Sequence, residues 1–101
     1  MELDRVETSA DGLSARRPGP TTLALAQRYV DRYVRVSDAE IMQGMEVLRR
    51  HEHIVAESAG AASVAVLLKH PPAGRKAVVI VSGANIASRV FRDLIQRVAG
   101  N

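Results

Sequence analysis

The apolar run Ala77-Val78-Val79-Ile80-Val81 ends abruptly at Ser82-Gly83-Ala84-Asn85, four small or polar residues that no core requires. Ser82 brings a hydroxyl that donates or accepts, Asn85 a carbonyl and an amide, and Gly83 a backbone that can pass close to a ligand. If the run is an interior strand, this junction is its carboxyl end, where open α/β sheets place ligands. The same residues also suit a structural role, with Ser82 or Asn85 capping the next helix and Gly83 making the turn. Glu57 is the second candidate, the one charge in the stretch 54–68 and just ahead of a helix. A carboxylate there gains from free amides and the helix field, and its burial requires either a capping role or a site.

Other polar groups carry less. His51 and His53 are two apart and share a side only in a strand, with no third ligand at metal spacing, so His51-Glu52-His53 reads as a solvated helix end. His70 precedes two prolines and reads as surface; Asp11-Gly12 is a turn pair. No dinucleotide fingerprint, nucleotide-phosphate loop or nucleophile elbow is present. Cysteine is absent, which removes disulfides and thiol nucleophiles together.

The elements that must position these groups follow from periodicity. Residues 1–20 hold turn formers such as "SADG" and "RRPGP" and form an extended arm. Pro20 suits the first position of a helix, predicted from 20 or 21 to about 31. Residues 33–36 alternate and favour a strand. Ser37-Asp38-Ala39-Glu40 is a capping box flanked by Val36 and Ile41 as a hydrophobic staple. Ile41, Met45 and Leu48 then mark one face of a helix ending near Arg50 or His51. A short β-like piece at 54–56 leads to a helix over roughly 58–69, whose Gly60, Ala59, Ala61, Ala62 and Ala65 let a neighbour approach closely. Pro71-Pro72-Ala73-Gly74 stops it. Residues 77–81 read as a strand covered on both faces. Ile86, Val90, Leu94 and Val98 recur every four residues in an amphipathic terminal helix.

This order predicts an α/β fold, a few-stranded, mainly parallel sheet flanked by helices, with residues 1–19 as arm and 20–101 as an incomplete α/β segment. Two or three strands are few for a sheet with a wholly apolar member. A homodimer or a partner chain is therefore expected to complete the sheet. At 101 residues, 47% apolar and only 3% aromatic, the chain fits one core built from Val, Leu, Ile and Ala. A formal charge of +3, spread along the chain, speaks against a nucleic-acid partner. No stretch is long and apolar enough for a membrane span, and the acidic start lacks a secretory pattern, which makes a cytoplasmic location the expectation.

The segments "TSADGLSARRPG", "YVDRYVRVSDAEI", "IVAESAGAASVAVLL" and "VVIVSGAN" resemble, in order and separation, the carboxyl-terminal part of the catalytic domain of threonine dehydratases. These are fold-type II pyridoxal-phosphate enzymes, a group that includes serine racemases, and the resemblance runs from about Val6 to Leu94. It implies a segment of the large domain of such an enzyme, with pyridoxal 5'-phosphate as cofactor and an amino acid as substrate in the complete protein. Ser82 resembles the serine that hydrogen-bonds the pyridine nitrogen. Glu57 resembles the glutamate of an "EPAGA" motif in the pocket wall, with Ser58 where proline is usual. Gly83 follows the serine, Gly12 resembles a glycine whose backbone passes near the ring, and Asn85 resembles the asparagine after the serine-glycine pair. Nothing matches the family's Schiff-base lysine, glycine-rich phosphate loop or divalent-ion ligands; Lys69 and Lys76 flank the "HPPAG" turn instead. The resemblance thus implies part of a threonine or serine ammonia-lyase forming a 2-oxo acid, inactive by itself and without catalytic residues of its own. The alternative is a non-catalytic small protein acting through self-association or a partner chain.

Overall fold

The computed structural model describes residues 5, 7–13, 15, 17–84 and 86–99. Among the described residues four α-helices form: α1 (Pro20–Tyr29), α2 (Asp38–Val47), α3 (Ser58–Lys69) and α4 (Ser88–Ala99), with a short 3-10 turn at Asp11–Leu13. Pro20 does open α1, where its missing amide hydrogen has no intrahelical partner to lose. The capping box is complete: the Glu40 amide donates to Ser37 Oγ at 3.1 Å and the Ser37 amide donates to Glu40 Oε1 at 3.4 Å. Beyond α2 the helical course widens into a π-helical stretch, Leu48–Glu52, and stops at His53 in the left-handed region (φ 56°). The His53 amide and, at 3.1 Å, the Ile54 amide donate to the Leu48 carbonyl, which accounts for the wide final turn.

Helix α2 is the centre of the molecule and packs against both α3 and α4. It meets α3 antiparallel. Lys69, at the end of α3, donates to the Arg35 carbonyl (3.2 Å) and pairs with Glu40 at the start of α2, while Ser58, at the start of α3, reaches Met45. Gly44 makes the crossing close, since a β-carbon there would lie 3.1 Å from the Ala61 carbonyl oxygen and 3.2 Å from the Ala65 nitrogen. The core collects Ala10, Ile41, Met45, Leu48, Ala56, Ala61, Val64, Ala65, Phe91, Leu94 and Ile95. Each fully buried large aliphatic in it contributes about 1.5–3 kcal/mol. On α4 the buried face is Phe91, Leu94 and Ile95, whereas Val90 is exposed. A strict four-residue period drifts around a helix of 3.6 residues per turn, and the seam follows the drift.

The expected α/β sheet is not formed. Among the described residues no strand is present, and 33–36, 54–56 and 77–81 pair with nothing as strands. A strand needs a neighbour to satisfy its amides and carbonyls, and short-range pattern reports only side-chain alternation. Residues 77–81 alternate rather than being covered on both sides. Val79 and Val81 pack on the core, while Val78 and Ile80 are 94% and 75% exposed. Helix α1 buries none of its residues, leaving Leu25 and Tyr29 in solvent. The radius of gyration, 14.5 Å, accordingly exceeds the roughly 13 Å of a compact domain this size. No helix among the described residues is long and apolar enough to cross a membrane.

Candidate functional site

The amino end of α3 is where the sequence candidates meet. Glu57 occupies the position before the first turn in extended conformation, its carbonyl accepting from the Ala61 amide at 3.0 Å. Its side chain does not cap the helix. The half-buried carboxylate instead lies over Gly83, where a β-carbon built on that glycine would land on Glu57 Oε1. The Glu57 amide donates to the Gly83 carbonyl at 3.1 Å. One turn on, Gly60 presents bare backbone to the same residue: a β-carbon on Gly60 would stand 2.5 Å from the Gly83 oxygen and 2.9 Å from its nitrogen. Ser63 completes the edge by donating from Oγ to the Ile80 carbonyl at 2.7 Å.

Held this way, residues 80–83 present Ser82 outward. Ser82 is exposed, and its hydroxyl makes no hydrogen bond among the described residues. It does not cap α4, whose first bond runs from the Phe91 amide to the Ala87 carbonyl, five residues further on. Asn85 lies outside the described residues.

Gly12 reaches the same helix from the arm. A β-carbon on it would be 3.0 Å from Ala59 Cβ. The arm is held by Asp38, at the first position of α2: Thr8 Oγ1 donates to Asp38 Oδ1 at 2.5 Å and the Ser9 amide to Oδ2 at 3.0 Å. Ala10, 1% exposed, is inserted in the core, and the Leu13 amide closes the turn on its carbonyl at 2.8 Å. The closeness that the small residues of α3 permit is therefore used three times, by Gly12, Gly44 and Gly83. Gly12, Glu57, Ser82 and Gly83, singled out in the sequence, lie together at this end of α3, whereas Asp38 and Ser63, which hold their segments in place, were not singled out. Asp38 is hidden inside a capping box; Ser63 is a lone hydroxyl on an otherwise apolar stretch of helix, which was the available signal.

Electrostatics elsewhere is structural. Burial opposes ionisation of Glu40, but hydrogen bonds from the Ser37 hydroxyl and amide, with the Lys69 ammonium, bring its carboxyl below the ordinary value. The buried Glu46 carboxylate accepts from Arg49 Nε and Nη2, both at 2.8 Å, and from Arg50 Nη2 at 2.9 Å. The Arg49 hydrogen bonds outweigh burial and lower its pKa, while the Arg49 guanidinium is shifted up in return. Among the described residues no three His, Asp or Glu side chains gather as metal ligands, and His51 and His53 are exposed. A pocket of about 270 Å³ between α2 and α4 is lined by Ala39, Met42, Gln43, Arg97 and Val98, none of them a candidate residue.

Comparison with known proteins gives the family of the chain. The family described as pyridoxal-phosphate dependent enzyme matches residues 1–83. The L-threonine ammonia-lyase of Thermotoga maritima is 37% identical over 98 residues, 93% of this chain and 24% of its own. The catabolic L-threonine dehydratase of Escherichia coli (strain K12) is 40% identical over 83 residues, 78% of this chain and 25% of its own. A crystal structure of a threonine deaminase, that of T.th., superposes with a TM-score of 0.79 at 25% identity, over 86% of this chain and 32% of that one. The chain thus spans about a quarter of the length of the curated relatives it matches. With a matched segment that includes the amino end of α3, Ser82 and Gly83, this chain belongs to the pyridoxal-phosphate dependent enzyme family.

Proposed function

We propose that this chain forms the wall facing the pyridine edge of the cofactor in a threonine or serine dehydratase, an ammonia-lyase that releases a 2-oxo acid. The observation that carries the reading is Ser82: an exposed hydroxyl without a hydrogen bond among the described residues, on a segment fastened to α3 through backbone contacts. The backbone beside it is tightly packed: the space a side chain would take on Gly83, Gly60 and Gly12 is filled by Glu57, the Gly83 backbone and Ala59, and Glu57 is held there without a capping role. Pyridoxal phosphate, when bound, supplies the electron sink for bond cleavage at an amino-acid α-carbon. Ser82 would hydrogen-bond the ring nitrogen; being neutral, it does not hold a proton there as a carboxylate would. Glu57, Gly83 and Gly12 would line the pocket. The family names of the relatives support the dehydratase assignment.

By itself the chain is proposed to be catalytically silent. Lys69 is engaged by Arg35 and Glu40, and it lies about 18 Å along α3 from Glu57 at 1.5 Å per residue. The test is a chimera in which this chain replaces the aligned part of the Thermotoga maritima enzyme. Threonine-dependent formation of 2-oxobutyrate is expected, falling at least tenfold in Ser82→Ala. A chimera that folds and binds the cofactor but eliminates nothing would refute the assignment. The exposed Val78, Ile80 and Tyr29 favour a second reading, a non-catalytic protein that acts by association. Sedimentation of the isolated chain separates the two, because that reading requires a concentration-dependent dimer or larger species.

A further inference from the structure

We propose that Ser63 and Gly60 are positioning residues that together set the reach of the Ser82 hydroxyl, an inference that rests on the cofactor reading of that hydroxyl. The segment carrying Ser82 is joined to α3 at three points, all through its main chain: Ile80 carbonyl to Ser63 Oγ (2.7 Å), Gly83 carbonyl to the Glu57 amide (3.1 Å), and Gly83 backbone against Gly60. Ser63 and Gly60 are three residues apart and therefore share a face of the helix. Ser63 acts as a tether and Gly60 as a stop. The hydroxyl fixes the chain two residues before Ser82, and the missing side chain of Gly60 lets the chain one residue after it settle onto the helix. Because no atom of Ser82 takes part in these contacts, its side chain is left outward with its hydrogen-bonding capacity unused within the described residues. A methyl on Gly60 would meet main-chain atoms of Gly83, which cannot turn aside as a flexible side chain would, so the segment must lift.

The Glu57 amide reports this docking directly, since its partner is the Gly83 carbonyl. Hydrogen exchange on the 101-residue chain is expected to speed up at Glu57 by about 2- to 10-fold in Ser63→Ala, the equilibrium factor of one neutral hydrogen bond. The Ala61 amide, bonded to the Glu57 carbonyl within the helix, should keep its rate, and Ser63→Thr should restore Glu57. Gly60→Ala should abolish Glu57 protection while α2 amides stay protected. Unchanged exchange at Glu57 in Ser63→Ala, or equal acceleration in every helix, overturns the proposal. The measurement needs no cofactor. A chimera indifferent to Ser82→Ala would defeat the cofactor reading and leave the tether standing, whereas a flat exchange profile would defeat the tether alone.

Discussion

Removing the Asp38 carboxylate should loosen the arm and, with it, Gly12. Both carboxylate oxygens are used, by Thr8 Oγ1 at 2.5 Å and the Ser9 amide at 3.0 Å, across a separation of about thirty residues in sequence. Hydrogen bonds to a charged group contribute about 1.5–3 kcal/mol each, and partial burial places these at the low end, near 3 kcal/mol together. Loss of a carboxylate from the first turn of a helix adds about 0.3–1 kcal/mol. Against this, a freed arm recovers about 1–2 kcal/mol of backbone entropy for each residue that melts, although Ala10 resists release because it is buried in the core. The balance for Asp38→Ala is a loss of about 2 kcal/mol, or about 8–16 °C in Tm for a domain of this size. Thermal unfolding followed by circular dichroism measures it, and a cycle with Thr8→Val isolates the pair. A coupling of about 1 kcal/mol is expected from residues in direct contact. A change in Tm below about 2 °C, or strictly additive effects of the two substitutions, would show that the contact does not hold the arm.

Two further outcomes follow from packing and charge. Glu46 titrates below its ordinary value in the folded chain, so between the two values the unfolded state takes up a proton that the folded state declines. Its stabilisation is full above about pH 4.3, the ordinary glutamate value, and disappears as pH falls through the lower folded value; Glu46→Gln should flatten that acid limb in a series of melts from about pH 2.5 to 6. Gly44→Ala would gain about 1 kcal/mol of helix propensity, but its methyl would press on main-chain atoms of Ala61 and Ala65. Overpacking costs about 1–3 kcal/mol, so denaturant titration should show net destabilisation, and a more stable variant would mean that α2 and α3 can part freely.

Much of the helical architecture was legible because its signals are local. Pro20, the Ser37–Glu40 box and the prolines after Lys69 act within one or two turns, and α3 spans the residues its composition indicated. The strands were not legible, because an unbroken apolar run such as 77–81 is equally compatible with an unpaired segment leaning on a helix. Pairing depends on what lies alongside. The face of α4 was misjudged where spacing alone was used: Phe91 carries the contact that a four-residue period assigned to Val90. At the candidate site the residue types of Ser82, Gly83, Glu57 and Gly12 were readable. The agents that assemble them were less so, since Asp38 and Ser63 act on residues 29 and 17 positions away.

Helix α3 is approached by the arm, by α2 and by the Ser82 segment at glycines in each of them. Where backbone meets backbone, as at Gly44 with Ala61 and Ala65 and at Gly60 with Gly83, no rotamer can absorb a displacement, so a slide of this helix along its axis is passed to α2 and to the Ser82 segment nearly undamped. The feature makes α3 a stiff axle, with no room for added bulk where backbone meets backbone.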